Sequence, residues 1–236
     1  MIDIHSHILP GIDDGARTLD ESIEIVQELS RQGVTGIIAT PHYITDTMYT
    51  SSRYDNLRLL SKLKQALCEA GIDVQVYLGN EIFIDIKIAE LLRRRVVSAL
   101  ADSKYALVEF SLNEEYPNYA DILGNLMGLG YKVILAHPER YAIAEEDYSR
   151  LEELQEMGIL FQCNAGSFIG LYGKSVERLA VRLAKEKRIF VLGSDTHHAH
   201  GDNRVARAQR KLRRYYNKTE LERILVKNPG KIISMI

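Results

Sequence analysis

The chain is poor in cysteine and has no excess charge of either sign. Its 30 Lys and Arg stand against 32 Asp and Glu, a formal net charge of −2. Two cysteines, Cys68 and Cys163, cannot build a disulfide framework or a Cys-rich zinc ribbon, which suits a reducing compartment. The balanced charge argues against electrostatically driven nucleic-acid binding. No stretch approaches the roughly 20 apolar residues needed to span a bilayer, so no membrane insertion is expected. Neither a basic segment nor a long apolar one precedes His5, which predicts no secretory leader and a cytoplasmic location. No Pro/Gly/Ser-rich linker, low-complexity tract or short repeat divides the chain, which predicts a single domain over residues 1–236.

What is present is a strand–helix alternation. Short apolar runs occur at Ile2–Ile4, Val34–Ala39, Val74–Leu78, Tyr105–Phe110, Val133–Ala136, Ile159–Gln162 and Ile189–Leu192. Segments with helical spacing lie between them. Thr18-Leu-Asp-Glu21 reads as a capping box before Ile23, Val26 and Leu29, with Gly33 as the stop. Leu57, Leu60, Leu63 and Leu67 mark a second helix, Leu151, Leu154 and Met157 a third, and Leu179, Leu183 and Ala184 another. The tail from Arg204 to Val226 reads as one or two polar amphipathic helices, and Asn228-Pro-Gly-Lys231 as a turn. Nearly continuous apolar strands alternating with helices predict parallel βα units in an α/β protein, closed or nearly closed into a barrel. An open doubly wound sheet is the alternative, but no G-x-G-x-x-G follows the first strand.

The residues at the strand ends carry the chemistry. The apolar runs lead in turn to His5-Ser-His7, His42, Glu81, Glu109, His137, Asn164 and Asp195-Thr-His197. In a parallel barrel these ends converge on one face, where barrel enzymes keep their active sites. His5 and His7 are i and i+2 on a strand and point to one side; Asp195 and His197 repeat the spacing. Each feature alone has an ordinary reading: a chance His-x-His, a helix-end charge, a solvated loop. Their recurrence does not, because a carboxylate ending an apolar strand is costly unless paired or metal-bound. With Asp14, the set His5, His7, His42, Glu81, Glu109, His137, Asp195 and His197 is too large for one ion and offers enough donors for two or three. Such imidazole–carboxylate mixtures fit manganese, iron or zinc, and paired ions are typical of phosphoester hydrolysis.

Other residues read less sharply. Arg140 is either a salt-bridge partner of Glu139 or Glu145 or a bidentate phosphate ligand. Asn164 reads as a loop donor, and His198 and His200 as rim residues. Arg93-Arg94-Arg95 reads as a solvated helix end, and Arg207–Arg214 as an exposed helix face. Neither cysteine has an arginine six positions on, where Val74 and Ile169 stand, so a Cys-x5-Arg phosphate loop is absent.

His5-x-His7, Thr40-Pro-His42, Gly79-Asn-Glu81, His137-Pro-Glu-Arg140 and Ser194-Asp-x-His197 together resemble the PHP (polymerase and histidinol phosphatase) superfamily. Met1-Ile-Asp-Ile-His-Ser-His-Ile, Asp13-Asp14-Gly15 and Tyr105-x-Leu-Val-Glu-Phe-Ser111 narrow the likeness to the capsule-operon tyrosine-protein phosphatases of the CpsB/CapC type. The resemblance implies a distorted (β/α)7 barrel, TIM-like, with two to three divalent ions, manganese first and iron, cobalt or zinc as alternatives. It assigns His5, His7, Glu81 and Asp195 to one ion, Asp14, His42 and His197 to a second, and Glu81, Glu109 and His137 to a third. Arg140 matches a phosphate-binding arginine. A second such arginine is expected soon after Asp-x-His; Arg204 is offset from that place, and His198 or His200 could compensate. The implied activity is hydrolysis of phosphotyrosine by metal-activated hydroxide, with Asp14, His42 or His200 as candidate acid. The implied substrate is the tyrosine-rich tail of a bacterial tyrosine kinase that regulates capsular or exopolysaccharide synthesis. The competing readings are a histidinol phosphatase or other small-molecule phosphomonoesterase, a nuclease disfavoured by the charge, an amidohydrolase lacking a strand-end lysine, and a non-catalytic metal-binding scaffold.

Overall fold

Each apolar run contributes a strand, and every strand pairing among the described residues is parallel. The computed structural model describes residues 1–113, 118–199 and 204–234. In chain order the elements are β1 (Ile2–Ser6), α1 (Leu19–Arg31), β2 (Gly36–Ala39), β3 (His42–Tyr43), α2 (Arg53–Glu69), β4 (Gln75–Leu78), β5 (Glu81–Phe83), α3 (Ile88–Arg93), β6 (Tyr105–Glu109), α4 (Tyr119–Gly128), β7 (Lys132–Ala136), α5 (Ala142–Glu146), α6 (Ser149–Glu156), β8 (Leu160–Asn164), α7 (Lys174–Lys185), β9 (Val191–Gly193), α8 (Arg204–Leu212), α9 (Lys218–Glu222) and α10 (Asn228–Ile233).

The strands form two parallel sheets, ordered β1-β2-β4 and β3-β5-β6-β7-β8-β9. β3 and β5 were not evident as strands: His42 and Glu81 lie within strands rather than beyond strand ends. The chain passes from β2 to β3 through Thr40-Pro41 and from β4 to β5 through Gly79-Asn80. Pro41 has no N–H to give a ladder. The two breaks are stitched together by Asn80, whose Nδ2 donates to the Pro41 carbonyl (3.0 Å) and whose Oδ1 accepts from the Ser98 N–H (2.9 Å). The last strand returns to the first. Asp195 N–H donates to the His5 carbonyl and His7 N–H to the Thr196 carbonyl, both at 2.9 Å. The sheet system is therefore curled, with β1 and β9 adjacent.

Two apolar clusters flank the curled sheet. The outer one joins helix residues such as Ile25, Leu63, Leu126, Leu151 and Leu183 to Ile37, Val76, Val108, Val133 and Phe161. The inner one contains Ile4, Ile38, Leu107, Ile134 and Val191, with Leu100, Tyr105 and Ile232. Neighbours such as Ile37 and Ile38, or Leu107 and Val108, fall in different clusters, as period-two side-chain alternation requires. On β6 the inner face continues from Leu107 to Glu109, so apolar filling gives way to site chemistry along one strand.

Local expectations hold in part. Thr18 caps α1 by accepting from the Glu21 N–H (3.2 Å), but the box is incomplete. The Glu21 carboxylate instead takes the Arg17 backbone N–H (3.0 Å) and Nε (2.9 Å). In α2, Leu60, Leu63 and Leu67 are buried while Leu57 is exposed. Asn228-Pro-Gly-Lys231 is not a turn but the start of α10. Pro229 sits in the first turn, where a missing N–H costs nothing, and Asn228 Nδ2 donates to the Phe190 carbonyl (2.8 Å). This helix delivers Ile232 to the inner cluster. Ile232→Ala is expected to lower unfolding free energy by about 2–5 kcal/mol, measured by urea denaturation; a loss under about 1 kcal/mol would mean that α10 does not seal the inner core.

Candidate metal centre

The first strand ends with two imidazoles whose protons are already committed. His5 Nδ1 lies 2.8 Å from Gln162 Oε1, and His7 Nδ1 lies 2.8 Å from Asp13 Oδ2. These oxygens only accept, so each Nδ1 carries the proton and each Nε2 presents a lone pair when the ring is neutral. Yet the two Nε2 atoms face each other at 3.3 Å. Glu81 Oε2 joins them, 3.0 Å from His5 Nε2, 3.3 Å from His7 Nε2 and 3.1 Å from His42 Nδ1. It is buried and makes no hydrogen bond of proper geometry with any of them. Asp195 Oδ1 completes the group, 3.5 and 3.4 Å from the same two Nε2 atoms. Donors bound about 2.0–2.1 Å from a tetrahedral ion sit roughly 3.3–3.4 Å apart. Converging lone pairs at this spacing are what a divalent transition metal requires, so the donor set fits one.

Two further groups share members with the first. His7, Asp14, His42 and His197 could hold an ion, as could His42, Glu81 and Glu109. His42 faces both, with Nε2 3.5 Å from Asp14 Oδ1 and Nδ1 3.5 Å from Glu109 Oε2. His137 Nε2 stands 3.0 Å from Glu81 Oε1 and 3.5 Å from Glu109 Oε1. All nine sequence-predicted ligands thus lie in one cluster, with His42 joining the third group beside His137. His137 and Asp195 leave their strands through positive φ (33° and 51°). Such strained backbone at non-glycine residues is characteristic of functional sites.

The electrostatics show where positive charge is wanted. Burial pushes the Glu109 carboxyl up to about 9, and the nearby Glu81 and Asp195 carboxylates add to the shift. Asp14, half-exposed, is held down at about 2, chiefly by a hydrogen bond from His197. Burial opposes ionisation of Asp195, but His5 and its other donors outweigh it and hold that carboxyl far below the usual range. The cluster therefore has more carboxylates than its imidazoles satisfy, and Glu109 is the one left short.

The model of the capsular polysaccharide synthesis family CpsB/CapC matches residues 1–234. The chain belongs to this CpsB/CapC family. It is similar to the tyrosine-protein phosphatase YwqE of Bacillus subtilis, 36% identical over 84% of this chain and 77% of that protein. It is similar to the tyrosine-protein phosphatase CpsB of Streptococcus pneumoniae, 31% identical over 99% of this chain and 98% of that one. A solved structure described with YwqE of B. subtilis and CpsB of S. pneumoniae, as metal-dependent tyrosine phosphatases, superposes with a TM-score of 0.86. That match has 32% identity and covers 99% of this chain and 94% of the other.

In this CpsB/CapC chain Arg140 pairs with neither acid considered from the sequence. Its Nη1 donates to Asp195 Oδ2 at 3.0 Å. Glu139 is buried and accepts from the Asn164 N–H (2.8 Å) and Ser167 Oγ (2.7 Å), while Glu145 lies near Arg178. Asn164 is not on a loop; it ends β8, and its Nδ2 donates to Asp195 Oδ2 at 2.6 Å. His198 turns away from the cluster to Glu21 (3.1 Å). Arg204 opens α8 beside Thr196 and His198 around a small enclosed recess. His200 lies outside the described residues.

The supporting residues were the ones missed. Asp13, beside the Asp14 that drew attention, orients His7 and accepts from the His42 N–H (3.1 Å). Gln162, a lone polar side chain midway along an apolar strand, orients His5. Asp3 accepts from the N–H groups of Ser194 (2.9 Å) and His5 (3.3 Å). A polar residue on the buried face of a strand is the signal that could have found Asp3 and Gln162. Gly15 allows the loop to fold back: an added Cβ would stand 2.2 Å from the His7 carbonyl oxygen.

Partners of this kind fix ligand tautomers, and removing one typically weakens metal binding 10–100-fold. Asp13→Ala should lower manganese affinity by that order in a competition titration, with little loss of secondary structure; unchanged affinity would remove Asp13 from the centre. Because Glu109 is protonated below about 9 without a cation, metal must displace that proton. Affinity should therefore rise with pH between 6 and 8, and more steeply in the wild type than in Glu109→Gln. Equal slopes would show that Glu109 carries no such proton.

Proposed function

We propose that this chain is a metal-dependent protein-tyrosine phosphatase, acting on phosphotyrosine through two to three divalent ions with manganese first among them. The observation that carries this reading is Asp195: Oδ1 faces the imidazole cluster, and Oδ2 holds Arg140. A cation-binding cup and a guanidinium are thus joined through one carboxylate, a pairing suited to a phosphate dianion. In the proposed assignment His5, His7, Glu81 and Asp195 hold one ion, Asp14, His42 and His197 a second, and Glu81, Glu109 and His137 a third. Bound ions would supply Lewis-acid charge and a water acidified toward a pKa of about 7. Arg140 would bind and orient the phosphoryl oxygens. The leaving phenolate has a pKa near 10; Asp14, held down at about 2, carries no proton for it near neutral pH, which leaves His42 and His200 as the candidate acids and Arg204 as a further candidate for substrate contact.

The curled parallel sheet supports a distorted (β/α)7 barrel as the frame, and we read residues 1–236 as one domain of this kind. The YwqE and CpsB similarities support phosphotyrosine over histidinol phosphate as the substrate. A tyrosine kinase tail is the proposed protein substrate, and the cytoplasm the proposed location. No described helix is long and apolar enough to cross a membrane.

A cysteine mechanism is poorly supported by the site. Cys163 is fully buried and its thiol is pushed well up by that burial, opposite to the activation a nucleophilic thiolate needs. The test is hydrolysis of a phosphotyrosine peptide. Chelation should abolish turnover, re-addition of manganese should restore it, and thiol alkylation should spare it. Loss on alkylation with retention after chelation would overturn the proposal.

A further inference from the structure

We propose that Tyr172 is a positioning residue that holds the Arg140 guanidinium in the pose that receives the substrate phosphate. This rests on the phosphatase reading above.

The Arg140 guanidinium carbon lies 4.4 Å from the centre of the Tyr172 ring. A cation within about 6 Å of an aromatic face is attracted by the ring quadrupole. Guanidinium donors lie in the plane of the group, so a ring against its face blocks none of them. Among the described residues one hydrogen bond engages the guanidinium, from Nη1 to Asp195 Oδ2. One bond at one end leaves the group free to swing about it; a ring across the face removes that freedom and leaves the remaining N–H groups for an anion. The Arg140 side chain is 22% exposed, enough to meet a ligand at the mouth of the cup.

The ring is itself held. Tyr172 follows β8 on a short loop closed by the Leu171 N–H to the Gly166 carbonyl (3.1 Å) and the Gly173 N–H to the Gly170 carbonyl (3.1 Å). Gly166 lies against it: an added Cβ there would stand 3.0 Å from Tyr172 Cε2 and 2.9 Å from Leu171 Cδ2. The ring therefore occupies a space that exists because residue 166 has no side chain. Asn164, two residues before Gly166, donates to the same Asp195 Oδ2 that holds Arg140, so one strand end and its loop support both partners of the Arg140–Asp195 pair.

The experiment measures inorganic phosphate binding to the manganese-loaded full chain by calorimetry, alongside kcat and KM on a phosphotyrosine peptide. Tyr172→Leu should weaken phosphate binding about 3- to 30-fold, the range for a lost cation–π contact. KM should rise by a similar factor, kcat should change less, and metal content should be unaltered. Tyr172→Phe keeps the ring face and should recover most of the affinity. Gly166→Ala, which displaces the ring from outside, should weaken phosphate in the same direction as Tyr172→Leu. Wild-type affinity in Tyr172→Leu, an equal loss in Tyr172→Phe, or no phosphate binding by the wild type would each overturn the proposal. If the wild type and its variants bind phosphate in the expected order but none hydrolyses the phosphotyrosine peptide, the substrate reading fails and the role of Tyr172 stands.

Discussion

The buried carboxylate of Glu81 is the constraint around which the site is arranged. It is fully excluded from solvent and lies 3.0–3.3 Å from nitrogens of His5, His7, His42 and His137. An ionised carboxylate is tolerated in such a place only with matching positive charge. Against the effect of burial, the neighbouring carboxylates raise the His5 imidazole and hold that of His7 well above its usual range, but two protonated rings with Nε2 atoms 3.3 Å apart would repel each other. A divalent ion held by His5, His7, Glu81 and Asp195 would supply that charge without the repulsion. The backbone is bent to put Glu81 there: the strand breaks at Gly79-Asn80, and Asn80 ties the break to Pro41.

The same polar logic closes the sheet. β1 and β9 do not form an extended ladder; they meet through a single bridge, Ser6 to Thr196, and two flanking backbone bonds. Asp3 strengthens the junction by accepting from His5 on β1 and from Ser194 just past β9. Below this level the inner core is apolar, from Ile4 and Leu107 to Ile232. Above it His5, His7 and Asn164 are tied to Gln162, Asp13 and Asp195, which come from another strand or from a loop at a strand end. The junction of β1 with β9 and the placement of His5 thus share one support, Asp3, whereas Asp13 serves His7 and His42.

Sequence reasoning found the residues that face the cup because their pattern is local. His5 and His7 are two apart, and so are Asp195 and His197; each terminates or follows an apolar run. It did not find β3 and β5, because two- and three-residue strands after a break have no periodicity to detect. Asp13 and Gln162 were missed for a different reason. Their roles depend on which residues stand 6 and 157 positions away in the chain, and nothing local encodes that pairing. α10 was misread because Asn-Pro-Gly is turn chemistry in isolation; the buried Ile232 and the Asn228 bond to β9's approach override it. The partner of Arg140, Asp195, lies 55 positions on, beyond any local pairing rule.

Asp195 shows why the site needs so much support. One of its oxygens faces the imidazoles of His5 and His7, and the other holds Arg140. A phosphate entering the cup competes for that guanidinium, and a buried carboxylate oxygen that loses its only donor is destabilised. Asn164 prevents this, because its Nδ2 stays on the same oxygen at 2.6 Å. The amide also keeps Oδ1 aimed at the imidazoles whichever anion Arg140 faces. Glu139 in turn fixes Asn164 through its backbone N–H. The sequence His137-Pro-Glu-Arg140 therefore contributes at three depths: a candidate metal ligand, a buried support and a guanidinium proposed to bind phosphate. A single helical turn at the end of β7 can serve all three only because Glu139 points inward while Arg140 reaches the mouth.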